Sequence, residues 1–260
     1  MNNATFFFNQ PKNEPVFSYA KGSKERDLLS KELEKQYNQC IEIPIIINGK
    51  EIRTGNVSEV VMPTEHSHVL AKFHKADKET VQKAIEAALE ARKKWENVHW
   101  IDRCSIMLRA AELLAGKYRY VINAATMLGQ GKNPFQAEID SACETIDFLR
   151  FNVHYASKIY AQQPLSDNSA INRLEYRGLE GFVYAISPFN FTSIACNLNI
   201  SPVLMGNVTV WKPATTAVLS NYYLMKILQE AGVPDGVINF VPGDGSVISD
   251  VCFSSKDLAG

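Results

Sequence analysis

An α/β fold organised around a parallel, doubly wound sheet is what this 260-residue sequence predicts. Three observations predict it. From residue 181 onward, short apolar runs alternate with helical segments, at 181–186, about 193–205, 208–211, 215–231 and 237–241. Strand, helix and strand at this spacing is the pattern of βαβ units, whose parallel strands need crossover helices. The runs Gly181-Phe182-Val183-Tyr184-Ala185-Ile186 and Val208-Thr209-Val210-Trp211 are continuously apolar or nearly so, which suits strands buried on both faces. The first breaks into a turn at Pro188, the second at Pro213, and Val237-Ile238-Asn239-Phe240-Val241 at Pro242-Gly243.

Ahead of this region, residues 23–36 read as a short charged helix after a polar start. Ile41-Glu42-Ile43-Pro44-Ile45-Ile46-Ile47 then reads as a strand entering an Asn48-Gly49 hairpin turn. Pro44 has no N–H to give a ladder, so the strand lies at a sheet edge or begins at Ile45. Asp77 is placed to cap a helix carrying Val81, Ile85, Ala88, Leu89 and Trp95 on one face, and a second amphipathic helix with Ile106, Met107, Ala110, Leu113 and Leu114 ends at Gly116. The next long helix has two apolar stripes, Ile139, Ala142, Cys143, Ile146, Leu149 and Val153 on one side and Phe148, Phe151 and Tyr155 on the other, so it is expected to be largely buried. Glu144 is in register with the aromatic stripe, and a carboxylate in such partly desolvated surroundings needs a partner or a ligand. Residues 162–180 read as a polar loop with an alternating strand, the makings of an exposed hairpin.

With 46% hydrophobic residues the chain can bury a substantial core. Its 27 Lys and Arg balance 28 Asp and Glu, so no global field recruits nucleic acid or an anionic membrane. No run approaches the roughly 20 apolar residues that cross a bilayer. Five scattered cysteines without a C-x-x-C pair fit a reducing compartment, and residues 1–12 lack a secretory or typical transit pattern, so the cytoplasm or an organellar matrix is expected.

The residues that carry chemistry sit at strand ends. Ile186-Ser187-Pro188-Phe189-Asn190-Phe191-Thr192 ends the first strand, where an Asn amide can donate to a developing alkoxide; the alternative is an Asn that bonds its own backbone. Trp211-Lys212-Pro213 ends the next, where the ammonium can reach ribose hydroxyls or phosphate, although a lone lysine at a strand end is more often a solvated charge. Gly243-Asp244-Gly245 is only part of a dinucleotide fingerprint, since Ile248 holds the third glycine position, and Gly129-Gln130-Gly131-Lys132 lacks P-loop spacing and reads as a turn. His66, His68 and His74 find no completing ligands, so no metal site is expected. Cys143 and Cys196 are nucleophile candidates only beside a base, and otherwise small buried side chains.

Together, Ser187–Thr192, Trp211–Pro213 and Val241-Pro242-Gly243-Asp244-Gly245 resemble the NAD(P)-dependent aldehyde dehydrogenase superfamily. Asn13-Glu14-Pro15-Val16, Gly129-Gln130-Gly131-Lys132, Gln136-Ala137-Glu138-Ile139-Asp140, Ile146-Asp147-Phe148-Leu149-Arg150-Phe151-Asn152 and Tyr176-Arg177-Gly178-Leu179-Glu180-Gly181-Phe182 resemble its Δ1-pyrroline-5-carboxylate (L-glutamate γ-semialdehyde) dehydrogenase branch, from about residue 13 to Gly260. The resemblance implies an aldehyde dehydrogenase-like fold. Residues 1–161 would belong to the cofactor-binding domain, 162–180 to an oligomerisation hairpin and 181–260 to the first β-α units of the cofactor-binding sheet.

Carried over by position, the resemblance makes Asn190 the oxyanion donor, and Ile186, Ser187, Pro188 and Phe189 the lining of the nicotinamide side. Lys212 would bond the adenine ribose, with Pro213, Ala214, Thr215 and Gly245 around the adenine and pyrophosphate. Glu144 and Phe191 would face the aldehyde. NAD is the implied cofactor. Thr215 stands where NAD-preferring relatives place an acidic residue, which admits NADP too, and Ser249 stands where the superfamily usually has glycine. The implied activity is oxidation of glutamate semialdehyde to glutamate in proline degradation, by at least a dimer. The family's nucleophilic cysteine and general-base glutamate would lie beyond Gly260, so the chain reads as an N-terminal half and is expected to be inactive alone. Two other readings are another semialdehyde dehydrogenase, against which Glu144 speaks, and a non-catalytic cofactor-binding or assembly module. Only three strands of the β-α series fit before Gly260, which would leave sheet edges uncovered.

Overall fold

The computed structural model describes residues 7–260, in which two sheets share one continuous hydrophobic core. Helix α1 (Lys24–Tyr37) starts at Ser23, whose hydroxyl accepts from the Arg26 amide. Pro44 then divides the Ile41–Ile47 run. Its three residues before the proline form β1 (Ile41–Ile43), parallel to β5 (Glu65–His74) in one sheet, and the three after it form β2 (Ile45–Ile47) in the other. A residue that cannot donate to a ladder therefore sits where the chain changes sheets. Asn48 and Gly49 both have positive φ, 50° and 72°, as a two-residue hairpin turn into β3 (Lys50–Ile52) requires.

The hairpin of β4 (Val57–Met62) and β5 completes the first sheet in the order β1-β5-β4. His66, His68 and His74 all lie on β5, with His68 bonded to the Tyr37 carbonyl and His74 to Glu42. Helix α2 (Lys78–Trp95) is capped by Asp77, which accepts from Thr80 N at 2.8 Å, and α3 (Trp100–Ala115) ends at Gly116. Helix α4 (Arg119–Gln130) closes on Gly131, left-handed at φ 66°. The short α5 (Pro134–Ala137) opens with a reciprocal Asn133–Gln136 capping box.

The long helix expected next is not uniform. A π-helical segment, Glu138–Glu144, separates α5 from α6 (Thr145–Ala161). Its wider turn breaks the 3.6-residue register and lets Glu138, Asp140 and Glu144 meet different partners. Helix α6 buries Ile146, Leu149 and Val153 as expected, but its aromatic side is half-buried at Phe148 and Phe151 and exposed at Tyr155, so only one face is covered. Residues 162–180 contain no strand. The segment doubles back, yet side chains rather than a ladder join its arms, with Gln163 bonded to both the N–H and carbonyl of Leu174 and Asn172 to the Leu165 carbonyl.

The second sheet has the order β3-β2-β8-β7-β6, with β6 (Val183–Ile186), β7 (Thr209–Lys212) and β8 (Ile238–Phe240) parallel. Crossovers α7 (Thr192–Leu204) and α8 (Val218–Ala231) join them, and α9 (Gly245–Ser254) follows β8. The edges expected to be bare are covered. Antiparallel β2 pairs with β8, and on the other side Asp257–Gly260 run alongside β6, where Phe182 N donates to the Asp257 carbonyl at 2.9 Å and Tyr184 N to that of Gly260 at 2.8 Å. The chain thus moves from β6 to β7 to β8 in one direction and returns to the opposite side of β6. That reversal is a topological switch point, and in open α/β sheets ligands bind in the crevice beyond the strand ends there.

Candidate active site

The turn 187–191 leaves the carboxyl end of β6 at this switch point. Ser187 ties the ends of β6 and β7 together. Its N–H donates to the Lys212 carbonyl at 3.2 Å, and its hydroxyl accepts from the Trp211 indole at 3.0 Å. Ser187 as a whole is only 4% exposed, and its hydroxyl is taken up by this brace. Ile186 and Phe189 project outward at 47% and 67% exposure, with Pro188 half-buried between them. Asn190 is exposed, and its amide is held by no protein partner among the described residues, as a donor kept for a ligand should be.

The cavity beside this turn has a volume of about 310 Å³ and is lined by Pro63, Gly129, Gln130, Lys132, Phe189, Asn190 and Thr216. A roomier cavity of about 410 Å³ lies under the 162–176 arm against Trp100 and Tyr160 and contains none of the candidate residues. Position at the switch point, rather than volume, marks the site.

Behind Asn190, the π segment supplies a polar cluster. Asp140 accepts from Thr192 N and Ser193 N, both at 3.1 Å, and so caps α7 from another element. Ser193 Oγ lies 2.9 Å from Asp140 and 2.8 Å from Glu144 Oε2, so one hydroxyl proton serves two carboxylates. Glu144 is half-buried there, in the partly desolvated setting its register implied. Phe191, at the base of the turn, is 38% exposed and lies under the Lys132 ammonium, 4.5 Å from the ring centre.

At the end of β7, Lys212 is half-buried, and burial lowers its amine below the ordinary lysine value while Asp244 opposes that shift. Among the described residues no group bonds this amine. A Cβ at Gly245 would lie 3.9 Å from it, so the first turn of α9 starts beside the cation. No side chain caps α9, and its leading N–H groups and the lysine converge as an anion site does. Pro213 is buried, Ala214 half-buried and Thr215 exposed along the same edge. Ser249 spends its hydroxyl on Tyr184, 3.0 Å away.

Four cysteines, Cys104, Cys143, Cys196 and Cys252, are buried, and burial pushes each thiol up to about 12, far from a nucleophile's range. The described residues hold no group of three His, Cys, Asp or Glu arranged for a metal, and no helix long and apolar enough to cross a membrane.

Residues 51–260 match the Aldehyde dehydrogenase family. The chain belongs to that family. This chain is 53% identical over 247 residues to a Δ1-pyrroline-5-carboxylate dehydrogenase of Agaricus bisporus, covering 94% of this chain and 45% of the relative. It is 50% identical to the Homo sapiens enzyme of that name, called mitochondrial, over 95% of this chain and 44% of that one. The crystal structure of the Mycobacterium tuberculosis Δ-pyrroline-5-carboxylate dehydrogenase bound with NAD superposes at a TM-score of 0.97 and 46% identity, over 99% of this chain and 48% of the other. The chain spans a little under half the length of the relatives it matches.

Sequence reasoning gave Lys132 and Asp140 no role, although both lie in stretches that carry the family resemblance. Lys132 was part of a failed P-loop match, and the signal that would have found Asp140, a π turn, leaves no trace in a search for 3.6-residue periodicity.

Proposed function

We propose that this chain is the oxyanion-donating and cofactor-binding part of an NAD-dependent L-glutamate γ-semialdehyde dehydrogenase, which oxidises the semialdehyde to glutamate in proline degradation. The observation that carries the reading is the free Asn190 amide at the switch point, with Lys212 and the uncapped start of α9 along the same sheet edge. These residues fit a dinucleotide: Lys212 would hold the adenine ribose, the α9 N–H groups its pyrophosphate, and Ile186, Pro188, Phe189 and the Ser187 backbone its nicotinamide end. When bound, NAD supplies the hydride acceptor. Asn190 donates to the substrate oxygen as negative charge develops on it, and Glu144 attracts the ammonium group of an amino-acid semialdehyde. Exposed Thr215 puts no charge against a 2′-phosphate, so NADP is accepted as a weaker alternative.

The attacking thiolate comes from none of the four buried cysteines, whose thiols are held protonated. The protein works as at least a dimer, paired through the exposed 162–180 arm, in the cytoplasm or, in a eukaryote, the mitochondrial matrix.

The test is NADH formation from L-glutamate γ-semialdehyde, by this chain itself and by this chain continued with the C-terminal half of the Agaricus bisporus relative. NADH from the continued protein, and more of it than from succinate semialdehyde, is expected. No NADH from either would refute the reading.

A further inference from the structure

We infer that Lys132 is a positioning residue for the oxyanion turn: its ammonium fixes the Asn190 carbonyl and the Phe191 ring, and so aims the Asn190 amide. The inference rests on the function proposed above and goes beyond it, since it concerns a residue whose ammonium bonds the oxyanion turn itself.

The geometry is that of one cation serving three groups. Lys132 Nζ donates to the Asn190 carbonyl at 2.6 Å, pairs with Asp140 Oδ2 at 2.5 Å, and stands 4.5 Å from the centre of the Phe191 ring. Asp140 is 3% exposed and, among the described residues, Lys132 is the only cation paired with it. Asp140 in turn holds the amides of Thr192 and Ser193. Four consecutive residues, from Asn190 to Ser193, are therefore anchored to a single Lys132–Asp140 pair.

The lysine reaches this position because Gly131 ends α4 in a left-handed conformation, φ 66°, and turns the chain towards the π segment. An exposed turn following a strand would otherwise be mobile. A donor aimed at a developing charge needs its own peptide plane held, and displacement by about 1 Å can cost on the order of a hundredfold in rate. The Asn190 amide is unsupported on its own side chain, so the support enters through its carbonyl. The charge matters as well: Lys132 balances Asp140, which leaves the neighbouring Glu144 as the carboxylate facing the substrate.

The experiment compares Lys132→Met, which keeps the length and removes the charge, with Lys132→Arg, in the continued protein of the preceding test. Parent activity is the control: if the parent forms no NADH, the proposed function has failed, and the lysine variants are not its cause. With an active parent, Lys132→Met is expected to lower kcat by roughly tenfold to a hundredfold. The KM for NAD should stay within about twofold, because the Lys212 end of the site is untouched, and Lys132→Arg should recover most of kcat. A Met variant with parental kcat overturns the inference. So does an equal loss in Met and Arg variants matched by equal losses of thermal stability, which would mark a purely structural lysine. Should Lys132→Met fail to fold, Lys132→Gln, which can still donate to the carbonyl, is read by the same split between kcat and KM.

Discussion

A Cβ on Gly181 would stand 2.0 Å from the carbonyl oxygen of Asp257. Gly181 also has φ 120°, a conformation that side-chain-bearing residues rarely adopt. The two facts share a cause. The returning segment crosses the start of β6 closely enough for its carbonyl to meet the Phe182 amide, and this contact places the switch point at β6.

Replacing Gly181 by Ala is therefore expected to destabilise the fold by on the order of 2–3 kcal/mol, from backbone strain and the clash together. Denaturant unfolding measures it. An unshifted midpoint would mean that residues 257–260 do not pair with β6 in solution.

Lys212 should show opposed effects on stability and binding. Its amine is lowered by burial, so the unfolded chain holds the proton more tightly than the folded one. The charged lysine thus costs stability below its folded pKa, and that cost disappears as pH rises towards the ordinary lysine value. Lys212→Met is expected to raise the melting temperature of the free protein at neutral pH and to weaken NAD binding by at least tenfold, measured by thermal shift with and without NAD. A melting temperature that falls without NAD would contradict this account.

Glu138 anchors the segment before α1. Its carboxylate is fully buried and receives the Phe17 amide at 2.9 Å, the Tyr19 hydroxyl at 2.6 Å and the Asn123 amide at 2.7 Å, besides the Arg119 guanidinium. Burial alone would raise its pKa, but Arg119, Tyr19 and Phe17 outweigh it and hold it below the usual glutamate value. With a depressed folded pKa, its contribution is complete above about pH 4.3 and is lost as pH falls through the folded value. Glu138→Gln leaves Arg119 short of a buried partner and is expected to cost about 3–5 kcal/mol at pH 7. It should also flatten the acid limb of melting temperature against pH. An acid limb equal to that of the parent would place the titrating group elsewhere.

What the sequence revealed and what it concealed follow from the range of each interaction. The strands β6, β7 and β8, the Asp77 cap and the Gly116 stop are local chemistry, legible from apolar runs and cap residues. Pro44 announced an interruption, but whether the chain ends a strand there or changes sheets depends on β5 and β8, both distant in the chain on its C-terminal side. Asn190 and Lys212 stood out because each follows a strand, and their shared edge required the parallel pairing of β6 and β7. The bracing role of Ser187 was not legible, since its partner Trp211 lies on the next strand. The π segment was hidden because its residues are ordinary helix formers, and only the competing demands of Arg119, α7 and Ser193 widen the turn.

The measurement that tests the central claim most directly is the turnover of Asn190→Ala in the continued protein, with saturating NAD and L-glutamate γ-semialdehyde. If the Asn190 amide is the donor to the developing oxyanion, kcat falls by on the order of 10²–10³ while NAD binding is unchanged. A kcat equal to that of the parent would contradict the account, and the free amide at the end of β6 would then be a turn residue with no part in the chemistry.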